Sequence, residues 1–280
     1  MDYFGRYGTN MFFLPDVGAA ETQFNLYMKH LPELYAVHEM LANDESKKIF
    51  RAAITGRITR VMQDFIFTTE YEYFLNGFLP TAGDIAVDGG SYDGETSADF
   101  ARQGAKVYAF EMDAANYKNC LVSAEKFGFT IENLGLSDKE SEAFYSGGGV
   151  GSRKLANNAM GGVRGHFIDL DSYVERKNLP RVDYIKLDIE GSELDALHGA
   201  TKTITRWKPT MAICVYHKPE DLWTLPTYIK FLRSDYEFQF RHHPCDRKKE
   251  VNGNTPWAAL NYFDLSCRTP SEYDMILYCR

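Results

Sequence analysis

Three features of the sequence point to an α/β fold built on a mostly parallel sheet. From Gly83 onward, short apolar runs of strand length alternate with stretches of helical periodicity, the pattern of successive βαβ units. The first run, residues 85–94 (IAVDGGSYDG), reads as a buried strand entering a glycine-rich turn, with a helix starting behind it. Five successive apolar runs also end in polar or ionisable residues, at the end of the sheet where open parallel sheets bind ligands.

Taken in order, residues 1–20 lack periodicity and read as a loosely attached arm. Residues 21–77 turn helical, with Leu31, Leu34, His38 and Leu41 on one stripe and Ile49, Ala53, Ile58, Met62 and Phe65 on another. Asn43 and Asp44 between them suit a helix N-cap. The aromatic cluster Phe65, Phe67, Tyr71, Tyr73, Phe74 and Phe78 is expected to pack this segment onto the main domain, with a lid over substrate as the minor alternative. Residues 85–87 form the first strand, and residues 96–103 a helix closed by Gly104. Residues 106–110 (KVYAF) form the second strand and end at Glu111, and residues 114–127 form a helix before Gly128. Residues 130–136 give a third strand ending at Ser137 and Asp138, and the Gly- and Asn-rich residues 146–165 give a mobile loop. Residues 182–187 run as a fourth strand to Asp188, and residues 192–206 as one helix with Ser192 and Asp195 as its capping pair. Residues 210–215 form the fifth strand, ending in Tyr216 and His217, and Pro219 starts another helix. Residues 236–241 and 274–279 read as an antiparallel edge pair around a polar insertion at about 244–272. The expected division is a helical segment, 1–80, and a main domain, 81–280.

With 44% hydrophobic and 25% charged residues, the composition is that of an ordinary soluble globular protein. The net charge of −8 argues against a nucleic-acid backbone as the main partner, and the basic stretch 241–249 reads as a solvated loop. Cys120, Cys214, Cys245, Cys267 and Cys279 are scattered, without CxxC or zinc spacing, and read as reduced thiols. No apolar run reaches membrane-span length and the N-terminus lacks a signal-peptide pattern, so a cytoplasmic location is expected.

Glu111, at the end of the second strand, suits the ribose hydroxyls of either NAD or S-adenosylmethionine. The glycine spacing separates the two. It is G-G-x-x-x-G rather than G-x-G-x-x-G, with Asp88 before the turn and Asp93 inside it. Two carboxylates would repel a pyrophosphate and suit a cofactor bearing an ammonium and a sulfonium. The residues favour S-adenosylmethionine.

The stretches VDGGSYDGET, VYAFEMD, LGLSDKE, DYIKLDIEGSELDALHGA and AICVYHKPEDLW resemble consecutive motifs of the FkbM family of methyltransferases. The resemblance covers about residues 83–243 and the last strand. It implies a class I methyltransferase fold: a Rossmann-like, seven-stranded, mostly parallel sheet with one reversed strand. It also implies O-methylation of a sugar, glycan or secondary-metabolite hydroxyl by S-adenosyl-L-methionine, with S-adenosyl-L-homocysteine as product. By that similarity Asp88, Gly90 and Gly94 contact the methionine end and Glu111 the ribose, while Met112, Ser137 and Asp138 flank the adenine. Gly89, Ser91, Tyr92, Asp93, Thr96 and Asp188 complete the expected cofactor-binding set. Wider class I enzymes often have glycine where this chain has Tyr92, so that side chain is expected to cover part of the turn.

Methyl transfer to an alkyl hydroxyl needs a base in reach. His217 and Glu190 are the candidates, His217 also being readable as a structural helix cap, and Asp188 is expected to position cofactor or acceptor. Asp188, Glu190 and His217 offer ligands for magnesium, although the sequence requires no metal. The partner expected is a small-molecule or glycan hydroxyl, and a homodimer through residues 65–78 is a further use of that segment. The rival readings are an NAD-dependent oxidoreductase and a binding protein that keeps the fold without catalysis.

Overall fold

The computed structural model describes residues 17–147, 154–155, 162–243 and 275–280. The 244–272 insertion, most of the 146–165 loop and nearly all of the N-terminal arm lie outside these residues.

Seven strands form the main sheet: β1 (Ile85–Gly89), β2 (Lys106–Phe110), β3 (Thr130–Glu132), β7 (Tyr184–Leu187), β8 (Thr210–Cys214), β9 (Phe238–His242) and β10 (Met275–Cys279). Their order is β3-β2-β1-β7-β8-β10-β9. All neighbours run parallel except β10, which is antiparallel to both β8 and β9. A second, three-stranded sheet consists of β4 (Gly135–Leu136), β6 (Val163–Ile168) and β5 (Ser141–Tyr145), with β6 in the middle. The helices are α1 (Val17–Lys29), α2 (Leu31–Met40), α3 (Asp44–Thr59), α4 (Glu95–Arg102), α5 (Ala114–Phe127), α6 (Leu170–Arg176), α7 (Glu193–His198), α8 (Thr201–Trp207) and α9 (Asp221–Leu232).

The central strands are apolar along their length because both faces are covered, and their period of two shares the side chains between two cores. Val87, Ile185, Met211, Ile213 and Leu277 join one apolar cluster; Ala86, Tyr184, Ala212, Ile276 and Tyr278 join the other. The first cluster includes Leu34, Val37, Leu41, Ile49 and Phe50, so α2 and α3 share a core with the sheet. Phe50 meets Phe240 edge-on at 5.2 Å, and Ala42 N–H donates to the Phe238 carbonyl at 2.9 Å. Asn43 caps α3 as expected, accepting from Ser46 N–H at 2.8 Å.

Several local expectations are corrected. The buried residues of α2 are Leu34 and Val37, Leu41 is buried in extended backbone just past its end, and Leu31 is exposed. Helix stops at Thr59, because Arg60 turns left-handed and its N–H closes on the Gly56 carbonyl, leaving Phe65 beyond the helix. The third strand is two pieces, β3 in the main sheet and β4 in the small one, and residues 163–165 of the supposed loop begin β6. Arg241 is not a solvated loop residue. It is buried on β9, bonded to Ser46 Oγ at 2.8 Å and paired with Glu45 at 2.8 Å. Helix α9 begins at Asp221, two residues after Pro219, with the Asp221 carboxylate accepting from Lys218 N–H at 2.8 Å.

The 192–206 helix is broken into α7 and α8, and Ser192 makes no side-chain cap. Asp171 on α6 explains the break. Its carboxylate accepts from Lys202 N–H, Thr203 N–H and the Thr203 hydroxyl at 2.7–2.8 Å, capping α8 from outside, while its own N–H donates to the Gly199 carbonyl at 2.9 Å. Asp171→Ala is expected to destabilise the protein by about 1–2 kcal/mol, the scale of a lost cap, as read from the midpoint of urea unfolding at unchanged slope.

Candidate active site

The turn after β1 is built on glycine for two separate reasons. Gly90 has φ +76°, and a Cβ there would collide with the Asp188 carbonyl oxygen. Gly94, φ +80°, would press a Cβ against Cys120 Sγ at 2.8 Å, so α4 can start close against α5. Tyr92 sits in the same turn at φ +51°, a conformation that costs a non-glycine residue about 1–3 kcal/mol. Its N–H donates to Glu111 Oε2 at 2.9 Å, and Asp113 N–H donates to Oε1 at 2.8 Å. Glu111 is thus fixed by two backbone donors. Burial raises its pKa, against the lowering effect of those two bonds.

Two cavities flank this turn. The larger, about 240 Å³, is lined by the polar Glu111, Asn116, Asp188, Glu190 and Tyr216 and by an apolar set that includes Phe110, Met112, Leu134, Leu136 and Phe167. The second, about 200 Å³, is lined by Ser91, Asp93, Glu95, Thr96 and Lys186 together with Glu72 and Tyr73 from the segment before the sheet. Gly90, Tyr92 and Asp188 line both. The Tyr92 side chain is 42% exposed and stands where the two cavities adjoin.

The structure brings together Gly90, Ser91, Tyr92, Asp93, Thr96, Glu111, Met112, Asp188 and Glu190 on these walls. It does not bring Asp88, Gly89, Gly94, Ser137, Asp138 or His217 to either wall. Asp88 is fully buried: Oδ1 pairs with Lys186 Nζ at 2.9 Å and Oδ2 accepts from Ser97 Oγ at 2.5 Å. Lys186 neutralises Asp88, so the charge of the turn facing a ligand comes from Asp93 and not from both carboxylates. Burial works against the Lys186 charge, but Asp88 and Asp188 outweigh it and raise its pKa. Ser137 is buried and accepts from Lys154 Nζ at 2.8 Å, and Asp138 is exposed; the larger cavity is lined by the three residues before them.

Asp188 is held by hydroxyls. Tyr73 donates to Oδ2 at 2.9 Å and Tyr216 to Oδ1 at 3.1 Å. Burial would raise its pKa, but Lys186, His217 and the two phenols outweigh that and hold it below the ordinary carboxylate range. His217, its side chain 7% exposed, places Nε2 3.4 Å from Asp188 and 3.5 Å from Glu190, and Nδ1 2.9 Å from the fully buried Glu193. Burial opposes its charge, yet these three carboxylates raise its pKa to about 9. A raised pKa favours the imidazolium at neutral pH, and α9 carries no side-chain cap from His217. Among the described residues no group of three or more His, Cys, Asp or Glu side chains has a metal-holding arrangement.

Sequence reasoning gave no site role to Lys186 or Glu193, and placed Tyr73 in an aromatic cluster and Tyr216 at a strand end without joining either to Asp188. A lysine inside the buried run YIKL is a signal for a buried counter-charge. Tyr73 carries no such signal, being 115 residues from the carboxylate it bonds.

A seven-stranded sheet of this order with one reversed strand, a glycine turn after the first strand and an acid after the second define a class I methyltransferase fold. Residues 88–242 match the Methyltransferase FkbM domain family, and the chain belongs to that family. A solved methyltransferase FkbM from Methylobacillus flagellatus KT superposes with a TM-score of 0.69 at 22% identity, over 91% of this chain and 60% of that one. At that identity the likeness shows the fold, and this chain spans only that 60% of its neighbour's length. An rRNA methylase from Streptococcus thermophilus shares 15% identity at a TM-score of 0.41, over 71% of this chain and 87% of that one, a likeness too weak to carry an argument. None of the curated proteins compared matches. Among the described residues no helix is long and apolar enough to cross a membrane.

Two outcomes follow from the buried charges. Lys186→Met leaves Asp88 buried without its counter-charge and is expected to cost about 3–5 kcal/mol in denaturant unfolding, with part recovered in Lys186→Met/Asp88→Asn. The second concerns pH. The folded His217 holds its proton to about pH 9, against an ordinary value of 6.5, and folded Asp221 holds its proton to about pH 7, against 3.8, because burial and then Glu193 disfavour its charge. In both windows the folded state binds more protons than the unfolded chain, so stability falls as pH rises. The His217 contribution is complete below about pH 6.5 and lost through about pH 9. A thermal-unfolding series from pH 6 to pH 10 checks this, and His217→Gln should flatten its alkaline part.

Proposed function

We propose that the protein is an S-adenosylmethionine-dependent O-methyltransferase acting on a hydroxyl of a sugar, glycan or secondary metabolite. Glu111 carries this reading: a buried carboxylate fixed by two backbone donors keeps lone pairs for a ribose diol in a cavity with the apolar lining of Leu134, Leu136 and Phe167. S-adenosyl-L-methionine would lay its adenosine in the larger cavity and extend its methionyl end past Gly90 and Tyr92 toward Asp93 and Thr96. Asp93 also favours this donor over NAD. Its Oδ1 accepts Glu95 N–H at 3.1 Å at the start of α4, so a carboxylate stands where a pyrophosphate would need the helix N-terminus.

The acceptor hydroxyl would meet the methyl group near Asp188, Glu190 and Tyr216. Of the three titratable groups named from sequence, Glu190 is best placed to take its proton. It lines the cavity and its side chain is 34% exposed, whereas His217 is protonated and Asp188 is stabilised as the anion by two phenols. The His217 imidazolium would steady both carboxylates as the proton moves. The segment before the sheet, through Glu72 and Tyr73, would wall the acceptor side.

A thermal shift tests the donor. S-adenosylmethionine or S-adenosylhomocysteine at a hundredfold over Kd should stabilise the fold by about 2.7 kcal/mol, and a shift with NAD alone would overturn the assignment. With a hydroxyl acceptor drawn from a monosaccharide and glycan panel, Glu190→Gln should bind S-adenosylhomocysteine as tightly as the unaltered protein while losing about 10²–10⁴-fold in kcat.

A further inference from the structure

Tyr73 lies before residue 88, where the match to the family begins, yet its phenol reaches the site. It is 3% exposed and its backbone is left-handed, φ +63°. Something must hold it there, and the structure supplies a staple from the far end of the chain. Tyr73 N–H donates to Tyr278 Oη at 3.0 Å. The same phenol lies 2.9 Å from His243 Nε2, whose Nδ1 is 2.9 Å from the Glu70 carbonyl. A carbonyl only accepts, so Nδ1 carries a proton, and the Tyr278 hydroxyl can give its own to Nε2. Residues 70 and 73 are thereby tied to one imidazole–phenol pair on β9's end and β10.

At the other end of the side chain, Tyr73 Oη is 2.9 Å from Asp188 Oδ2 and 3.3 Å from Cys214 Sγ. Asp188 accepts the phenol proton, so the Cys214 thiol is the donor to the phenol oxygen. Burial pushes the Cys214 pKa well up, which keeps that proton in place. The Tyr73 ring also lies over Lys186, 5.2 Å from Nζ to the ring centre. A phenylalanine would fill the same volume. The hydroxyl, and the strained backbone that aims it, serve the carboxylate.

We propose that Tyr73 is a positioning residue for the transfer reaction: it fixes the Asp188 carboxylate as an oriented anion where the two cavities meet, and the site is complete only when residues 70–73 are stapled to β10. The proposal rests on the methyl-transfer reading for what Asp188 serves, while the hydrogen bond itself is testable without it. Asp188 is faced by Lys186, Glu190, Cys214, Tyr216, His217 and Glu72, and all of them remain in a Tyr73→Phe variant.

The test is carbon NMR of the full chain labelled at aspartate Cγ, with the Asp188 signal assigned by Asp188→Asn, and S-adenosylhomocysteine binding measured alongside. In Tyr73→Phe the Asp188 titration midpoint should rise by about one pH unit, the size of one lost hydrogen bond to a charge. Tyr278→Phe, which keeps the Tyr73 hydroxyl but removes part of its staple, should move the midpoint in the same direction by less. It also serves if Tyr73→Phe does not fold. An unmoved midpoint in either folded variant overturns the proposal. Binding of S-adenosylhomocysteine with no shift in the midpoint sinks this inference alone, and a shifted midpoint without such binding sinks the methyl-transfer reading alone.

Discussion

The buried ion pair between Lys186 on β7 and Asp88 on β1 is the contact on which the site is built. The ammonium has three protons and the structure gives it three acceptors: Asp88 Oδ1 at 2.9 Å, the Gly90 carbonyl at 2.7 Å and the Gly89 carbonyl at 3.2 Å. A lone ammonium in the middle of a sheet would be costly, and a lone carboxylate equally so. Together they join two neighbouring strands and fix the peptide groups that begin the glycine turn. Ser97 closes the second oxygen of Asp88 and so ties α4 to the same pair. From there the Tyr92 N–H reaches Glu111, and Gly90 lies against the Asp188 carbonyl.

Backbone strain gathers around this pair. Among the described residues six non-glycine positions have positive φ, and three of them, Tyr73, Tyr92 and Glu190, line the cavities. Two of the three have a named backbone partner: Tyr92 donates to Glu111 and Tyr73 to Tyr278. Conformations that cost free energy and recur at one place mark where the surrounding structure dictates geometry.

The central sheet could be read from sequence because its strands are apolar on both faces and alternate with stretches of helical periodicity. β2 and α5 fall on their expected residues. The small sheet could not, since β4 is two residues long and β5 is mostly half-exposed, too short and too polar for an apolar run. The break between α7 and α8 is set by Asp171, some thirty residues upstream, which no local pattern reports. The same holds at the site. Glu111 and Asp188 were visible as strand-end acids, but the charge on His217 depends on Glu193 behind it and on two carboxylates in front. Asp88 was expected against the cofactor but is buried against Lys186, which shares its strand with residues that look purely structural.

Strand β10 lies between β8 and β9, so those two strands have no hydrogen bonds to one another. During synthesis the half of the sheet from β3 to β8 can pair as it emerges, while β9, residues 238–242, must wait for residues 275–279 before it has a partner strand. Helix α3, which lies before the sheet in sequence, packs on β9 through Phe50 and Phe240 and shares that wait. Until then the apolar face of α3 that β9 covers stays open to a chaperone or a neighbouring chain.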